Sequence, residues 1–191
     1  MKISFFGASV TAQKEGYVYN FKNLINQTNN YQIYQNGYGS MHIFDAGICY
    51  VNNIISYSPD ICFIDWFSTG YLNYIKNFLP YLNTIIKKLN DNNIKIIFLY
   101  FPRKNFEDLR KIMYEESQNY LKELNIPFID LRYEIEKNNI ILDDILRDSV
   151  HTNNKGGQIY GDIVYKWFIK NLGNLKLCQV DIPKNKFYFI K

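Results

Sequence analysis

Two stretches of this chain hold residues whose types and spacing could do chemistry together. The first is FFGASVTAQ, residues 5–13, where an apolar run stops at Gly7 and Ser9 sits where a buried strand would surface. The second is DSVH, residues 148–151, which carries one of the chain's two histidines. A serine hydroxyl is a weak nucleophile until a base takes its proton, and the base works best when a carboxylate orients it. Asp148 lies three residues before His151. Within a turn, that spacing can place carboxylate and imidazole on the same side, so that Asp148 holds one ring nitrogen while the other faces Ser9. Each stretch also has a structural reading. Asp148 can simply cap a turn, and residues 7–9 can be a glycine turn between a strand and a helix.

Other polar residues carry a pair of readings each. His42, in GSMHIF, suits a helix start or the surface, or a second base. Arg103, in PRKN, can pair with an anionic substrate or lie solvated in its loop. Trp66 and Tyr38 can form a sugar-stacking wall or belong to the core. Asp65, at the end of an apolar run, suits a hydrogen-bonding structural role or a catalytic one.

The elements that must position these residues alternate from end to end. KISFF (2–6), YQIYQ (31–35), ICFIDWF (61–67), IKIIFLYF (94–101) and IPFIDL (126–131) read as strands. The fourth is continuous and β-branched, as expected at the centre of a parallel sheet. Helical spacing of apolar residues falls between them, over about 16–29, 43–57, 71–90, 105–125 and 156–172. Pro80 either kinks the third of these or begins its second part. LKLCQV and KFYFIK, around DIPKN, look like a terminal β-hairpin. Strands alternating with helices imply an α/β fold: three α/β/α layers around a mostly parallel five-stranded sheet. Residues 1–172 form this domain, and 173–191 a hairpin extension packed on it. Ligands of such sheets bind beyond the carboxyl ends of the strands. The loops after residues 6, 35, 67 and 101 should therefore share one rim.

GAS directly after the first strand and DSVH just before the last helix together resemble the SGNH (GDSL-type) esterase and acyltransferase superfamily, over residues 1–172. The family's Gly-Asp-Ser motif matches Gly7, Ala8 and Ser9, with Ala8 replacing the Asp, and its Asp-x-x-His motif matches Asp148 and His151. HTNNKGGQIYGDIV looks like the family's His, Asn, Gly progression into the final helix. The glycine of the second motif is matched by Gly39 in QNGYGS. The third motif, Gly-x-Asn-Asp, departs: anchored on PDICFI, its register falls on Phe67, Ser68, Thr69 and Gly70, so Thr69 stands in place of the Asn. The resemblance implies a flavodoxin-like three-layer domain, with Ser9 as nucleophile, His151 as base and Asp148 orienting it. It also implies an oxyanion hole built from the N–H groups of Ser9 and Gly39 together with the missing Asn amide. Loss of one such donor typically costs about 100- to 1000-fold in rate. A hydroxyl of Thr69 or Ser68 could donate there, with less reach than an amide. Ser68 and Arg103 are the candidates for contact with substrate. Neither a metal nor an organic cofactor is implied.

At 191 residues, 47% hydrophobic and 17% aromatic, the chain can bury a substantial core. Its net charge of +4 is spread without a dense basic block, which argues against a dedicated nucleic-acid binder. No apolar stretch approaches a membrane span, and ISFF is too short for a signal-peptide core. Cys49, Cys62 and Cys178 form neither a metal pattern nor a disulfide framework. A cytoplasmic protein with reduced, buried thiols is the economical expectation. The expected activity is hydrolysis of an acyl ester, an O-acetyl group on a carbohydrate or surface-glycan precursor. One alternative is acyl transfer to a glycan by the same triad. Another is a glycan-binding or assembly domain that has lost efficient catalysis. A nucleotide-binding reading, with GASVT cradling a phosphate, lacks both G-x-G-x-x-G and a P-loop Lys-Ser/Thr, and leaves DSVH unexplained.

Overall fold

A computed structural model describes residues 1–27, 31–68, 75–104 and 108–178. Three apolar runs can tolerate burial on both faces, and they become the inner strands: β1 (Lys2–Gly7), β3 (Ile61–Asp65) and β4 (Lys95–Tyr100). The less apolar β2 (Gln32–Gly37) and the short β5 (Phe128–Asp130) take the edges. The sheet is parallel throughout, in the order β2-β1-β3-β4-β5.

Side chains alternate across the inner strands with the period of two that a pleated strand imposes. Ile3, Phe5, Ile61, Phe63, Ile97 and Leu99 face one layer of helices. That layer contains α2 (Tyr17–Asn26), α6 (Leu131–Lys137) and α8 (Asn154–Asn171), with the single turn α7 (Leu142–Ile145) beside them. Phe6, Cys62, Ile64, Ile96, Phe98 and Tyr100 face the other. There lie α3 (Ile48–Ser56), α4 (Ile75–Asp91) and α5 (Asp108–Glu123). The expected three-layer architecture is the observed one.

Differences from the sequence reading lie in the details. The helix expected over 43–57 opens with a π-helical turn, Ile43–Gly47, capped reciprocally by His42 and Asp45. Pro80 sits inside α4 without ending it. Of the hairpin extension expected over 173–191, residues 173 and 174 complete a 3₁₀ turn, Leu172–Asn174, and 175–178 carry no strand; residues 179–191 lie outside the described ones. Cys62 and Cys178 are buried, but Cys49 is exposed, because α3 turns Ile48, Val51 and Ile54 inward instead.

Candidate active site

The parallel sheet brings the ends of β1, β2 and β3 to one point. Gly7 is in register with Gly37 on one side and Asp65 on the other. The Ala8 N–H donates to the Asp65 carbonyl and the Tyr38 N–H to the Gly7 carbonyl, both at 2.9 Å. Just beyond this junction the chain turns into α1 (Ser9–Ala12), whose first residue is the half-buried Ser9. Position 37 must be glycine for α1 to lie this close, since a Cβ there would collide with the backbone of Thr11 and Ala12.

His151 reaches Ser9 from the far end of the sequence. Residues 146–152 form a tight turn in which Leu146 and Thr152 bridge antiparallel and the Arg147 N–H donates to the His151 carbonyl at 2.9 Å. Within it, Asp148 Oδ1 accepts the N–H groups of Val150 at 2.9 Å and His151 at 2.8 Å. Asp148 Oδ2 lies 2.8 Å from the imidazole Nδ1. The other ring nitrogen, Nε2, lies 2.8 Å from Ser9 Oγ, across 142 residues of chain. Asp148 therefore caps the turn and holds the ring at the same time, so the two readings of DSVH are one geometry.

Partial burial pushes the Asp148 carboxyl up, but the two backbone N–H groups and the imidazole outweigh it and bring its pKa down to about 2. An ionised Asp148 takes the Nδ1 proton as its hydrogen bond. That assigns the tautomer in which Nε2 is free to accept from Ser9.

The other candidates fall in different places. Gly39 lies exposed in the loop after β2, with open space where a Cβ would be, and Ser40 beside it adopts a left-handed φ of 58°. Thr69 and Gly70 lie outside the described residues. Ser68 is buried, 1% exposed, and its carbonyl accepts from Arg103 Nη1 at 2.6 Å. Arg103 Nη2 reaches Ser149 Oγ at 3.4 Å, and the Lys104 N–H donates to the Ser149 carbonyl at 2.9 Å. The guanidinium thus spans the loop after β3 and the DSVH turn. Trp66 is in the core, edge-on to Phe6. Tyr38 is half-buried and stacks on Tyr50 with ring centroids 4.5 Å apart. His42 is a helix start, its ring against Phe44. A cleft of about 960 Å³ between α6 and α8 contains none of the candidate residues.

Asp65 has the hydrogen-bonding role. It is fully buried, and its Oδ2 accepts from Thr11 Oγ1 at 3.0 Å; Thr11 Oγ1 in turn lies 2.8 Å from the Tyr17 hydroxyl. Burial pushes its pKa up to about 6, only partly offset by hydrogen bonding to Ser68 and Thr11. The folded protein therefore holds a proton that the unfolded chain releases near pH 4. The stability that this one group contributes is fully present below that pH and is lost as pH rises to about 6, on the order of 3 kcal/mol at 1.36 kcal/mol per unit. Urea unfolding between pH 4 and 8 should show this decline in the wild type. Asp65→Asn, which has no carboxyl to ionise, should flatten the curve by about that amount; equal slopes in both proteins would contradict it.

Sequence reasoning overlooked the supporting polar residues. Thr11 and Gln13 share α1 and its end with Ser9. The Gln13 amide meets Thr152, the neighbour of His151: Nε2 donates to the Thr152 carbonyl at 3.0 Å, and Oε1 accepts from its N–H at 3.2 Å and its hydroxyl at 3.3 Å. The available signal was spacing, because Gln13 stands four residues after Ser9. Among the described residues, no group of three or more His, Cys, Asp or Glu could hold a metal ion, and no helix is long and apolar enough to cross a membrane.

No protein-family model matches the chain, and no curated protein sequence does. Solved structures do. The chain is similar to a lipase/acylhydrolase from Enterococcus faecalis, with TM-score 0.75, 19% identity, and coverage of 94% of this chain and 99% of that one. It is similar to a member of the lipolytic protein G-D-S-L family from Veillonella parvula, with TM-score 0.70, 17% identity, and coverage of 89% and 99%. It is also similar to an acetylxylan esterase from Geobacillus stearothermophilus, with TM-score 0.69, 15% identity, and coverage of 94% and 96%. The chain has the fold of the SGNH/GDSL-type hydrolases.

Proposed function

We propose that the chain is a serine-dependent acyl-ester hydrolase, and specifically an O-acetyl esterase acting on a carbohydrate or surface-glycan precursor. The observation that carries this reading is the relay from Asp148 Oδ2 to His151 Nδ1 and from Nε2 to Ser9 Oγ, both steps at 2.8 Å. Structural likeness to lipolytic and acetylxylan esterases supports the ester and the sugar.

Ser9 Oγ attacks the acyl carbon as its proton passes to His151 Nε2, and Asp148 stabilises the imidazolium that forms. The negative charge on the carbonyl oxygen meets the N–H groups of Ser9 and Gly39. His151 then gives its proton to the departing alcohol oxygen as the C–O bond breaks, leaving an acyl-Ser9 ester. Water repeats the sequence: its proton goes to Nε2, its oxygen bonds the acyl carbon, and Ser9 leaves with the proton returned. Tyr38 stacked on Tyr50, next to Gly39, supplies aromatic surface for the sugar.

Release of acetate from acetylated xylose and glucose derivatives, followed alongside p-nitrophenyl acetate, tests this reading. Turnover of the acetylated sugars above the rate with Ser9→Ala is expected. Turnover of p-nitrophenyl acetate alone would remove the carbohydrate, and turnover of neither would remove the esterase.

A further inference from the structure

The nucleophile and its base come from opposite ends of the chain, yet they must stand within hydrogen-bonding reach for proton transfer. Strand pairing fixes β1, and with it Ser9, but the DSVH turn is not part of the sheet. Something must hold that turn at the correct distance.

We propose that Gln13 is the positioning residue that sets the Ser9–His151 distance. Its side-chain amide pairs with the Thr152 backbone in both directions, donating to the carbonyl and accepting the N–H, and it also accepts the Thr152 hydroxyl. These bonds link residues 139 apart. Thr152 directly follows His151 and is 4% exposed, and Gln13 is half-buried beside it.

Gln13 is itself fixed. The Gln35 side chain, on β2, donates to the Gln13 carbonyl at 3.0 Å and to the Thr11 carbonyl at 2.7 Å. A continuous path therefore runs from the sheet edge through Gln35 and Gln13 to the residue beside the base. At its far end, the Asn153 side chain accepts the Gly156 N–H at 2.9 Å and caps α8. The turn is thus held at Thr152 by Gln13, at Ser149 by Lys104 and Arg103, and at its exit by α8.

This inference rests on the esterase reading, and the test separates the two. Gln13→Met keeps the side chain's length and apolar packing while removing all three bonds. Gln13→Glu restores the two that Oε1 accepts but replaces the Nε2 donor with a carboxylate oxygen facing the Thr152 carbonyl, so the rescue is partial. Displacing a reacting group by about 1 Å can cost on the order of 100-fold in rate. Gln13→Met should therefore lower kcat on p-nitrophenyl acetate by about 10- to 100-fold with KM within about twofold, and Gln13→Glu should recover part of the loss. Because Gln13 acts through His151, the imidazole ¹⁵N shifts of His151 should move in Gln13→Met as its bond to Ser9 weakens. Unchanged kcat and unchanged His151 shifts would overturn the inference, as would a fall in kcat no larger than the fall in folded fraction. If the wild type hydrolyses nothing, the esterase reading fails. Gln13 then stands or falls on the His151 shifts alone.

Discussion

Ser9→Ala should lower kcat for p-nitrophenyl acetate on the order of 10⁴-fold or more while leaving the protein folded, which far-UV circular dichroism and the urea midpoint will verify. The fold should survive because Ser9 starts a four-residue helix and its hydroxyl hydrogen-bonds His151 Nε2, a group of the DSVH turn outside the core. Alanine is compatible with that backbone, being the best helix former. The chemistry should not survive. Without Oγ there is no acyl-enzyme, and residues that act as a unit lose most of their effect when one is removed. A decrease of less than about tenfold would mean that another group carries the hydrolysis.

Asp148→Asn tests the other end of the relay and should cost about 10²- to 10⁴-fold in kcat. The side-chain carbonyl of asparagine can still accept the Val150 and His151 N–H groups, so the turn keeps its shape. The atom facing Nδ1 becomes an N–H donor, however. Nδ1 must then accept, the proton moves to Nε2, and the imidazole donates to Ser9 where it should receive. Because the Asp148 pKa lies near 2, the wild-type carboxylate stays charged throughout the range above about pH 4. Any acid loss of activity there must come from another group. A variant with unchanged kcat would reduce Asp148 to the cap of its turn.

Much of this site was legible because it depends on pattern at two scales. The inner strands are continuous apolar runs that suit burial on both faces, and their parallel order follows from the helices between them. That topology alone sends the ends of β1, β2 and β3 to one rim. The spacing from Asp148 to His151 was informative because a carboxylate three residues back in a turn can reach both the backbone and the ring. Less was legible where structure depends on single hydrogen bonds. α1, α6 and α7 are too short to display an amphipathic period. The π-helical turn at Ile43–Gly47 depends on the reciprocal cap between His42 and Asp45, which hydrophobic spacing does not record. Cys49 lies in an apolar stretch but on the outer side of α3, and Arg103 reaches the Ser68 carbonyl through a loop contact. Gln13 meets Thr152 only after the whole chain has folded.

The central claim is that His151 makes Ser9 reactive, and covalent labelling tests it most directly. The wild-type protein, incubated at pH 7.5 with a serine-directed fluorophosphonate, should gain one phosphonyl adduct by intact mass. Peptide mapping should place that adduct on Ser9, and labelling of His151→Ala should be slower by at least about 100-fold. A folded wild-type protein that takes up no adduct, or one labelled equally fast without His151, would contradict the account.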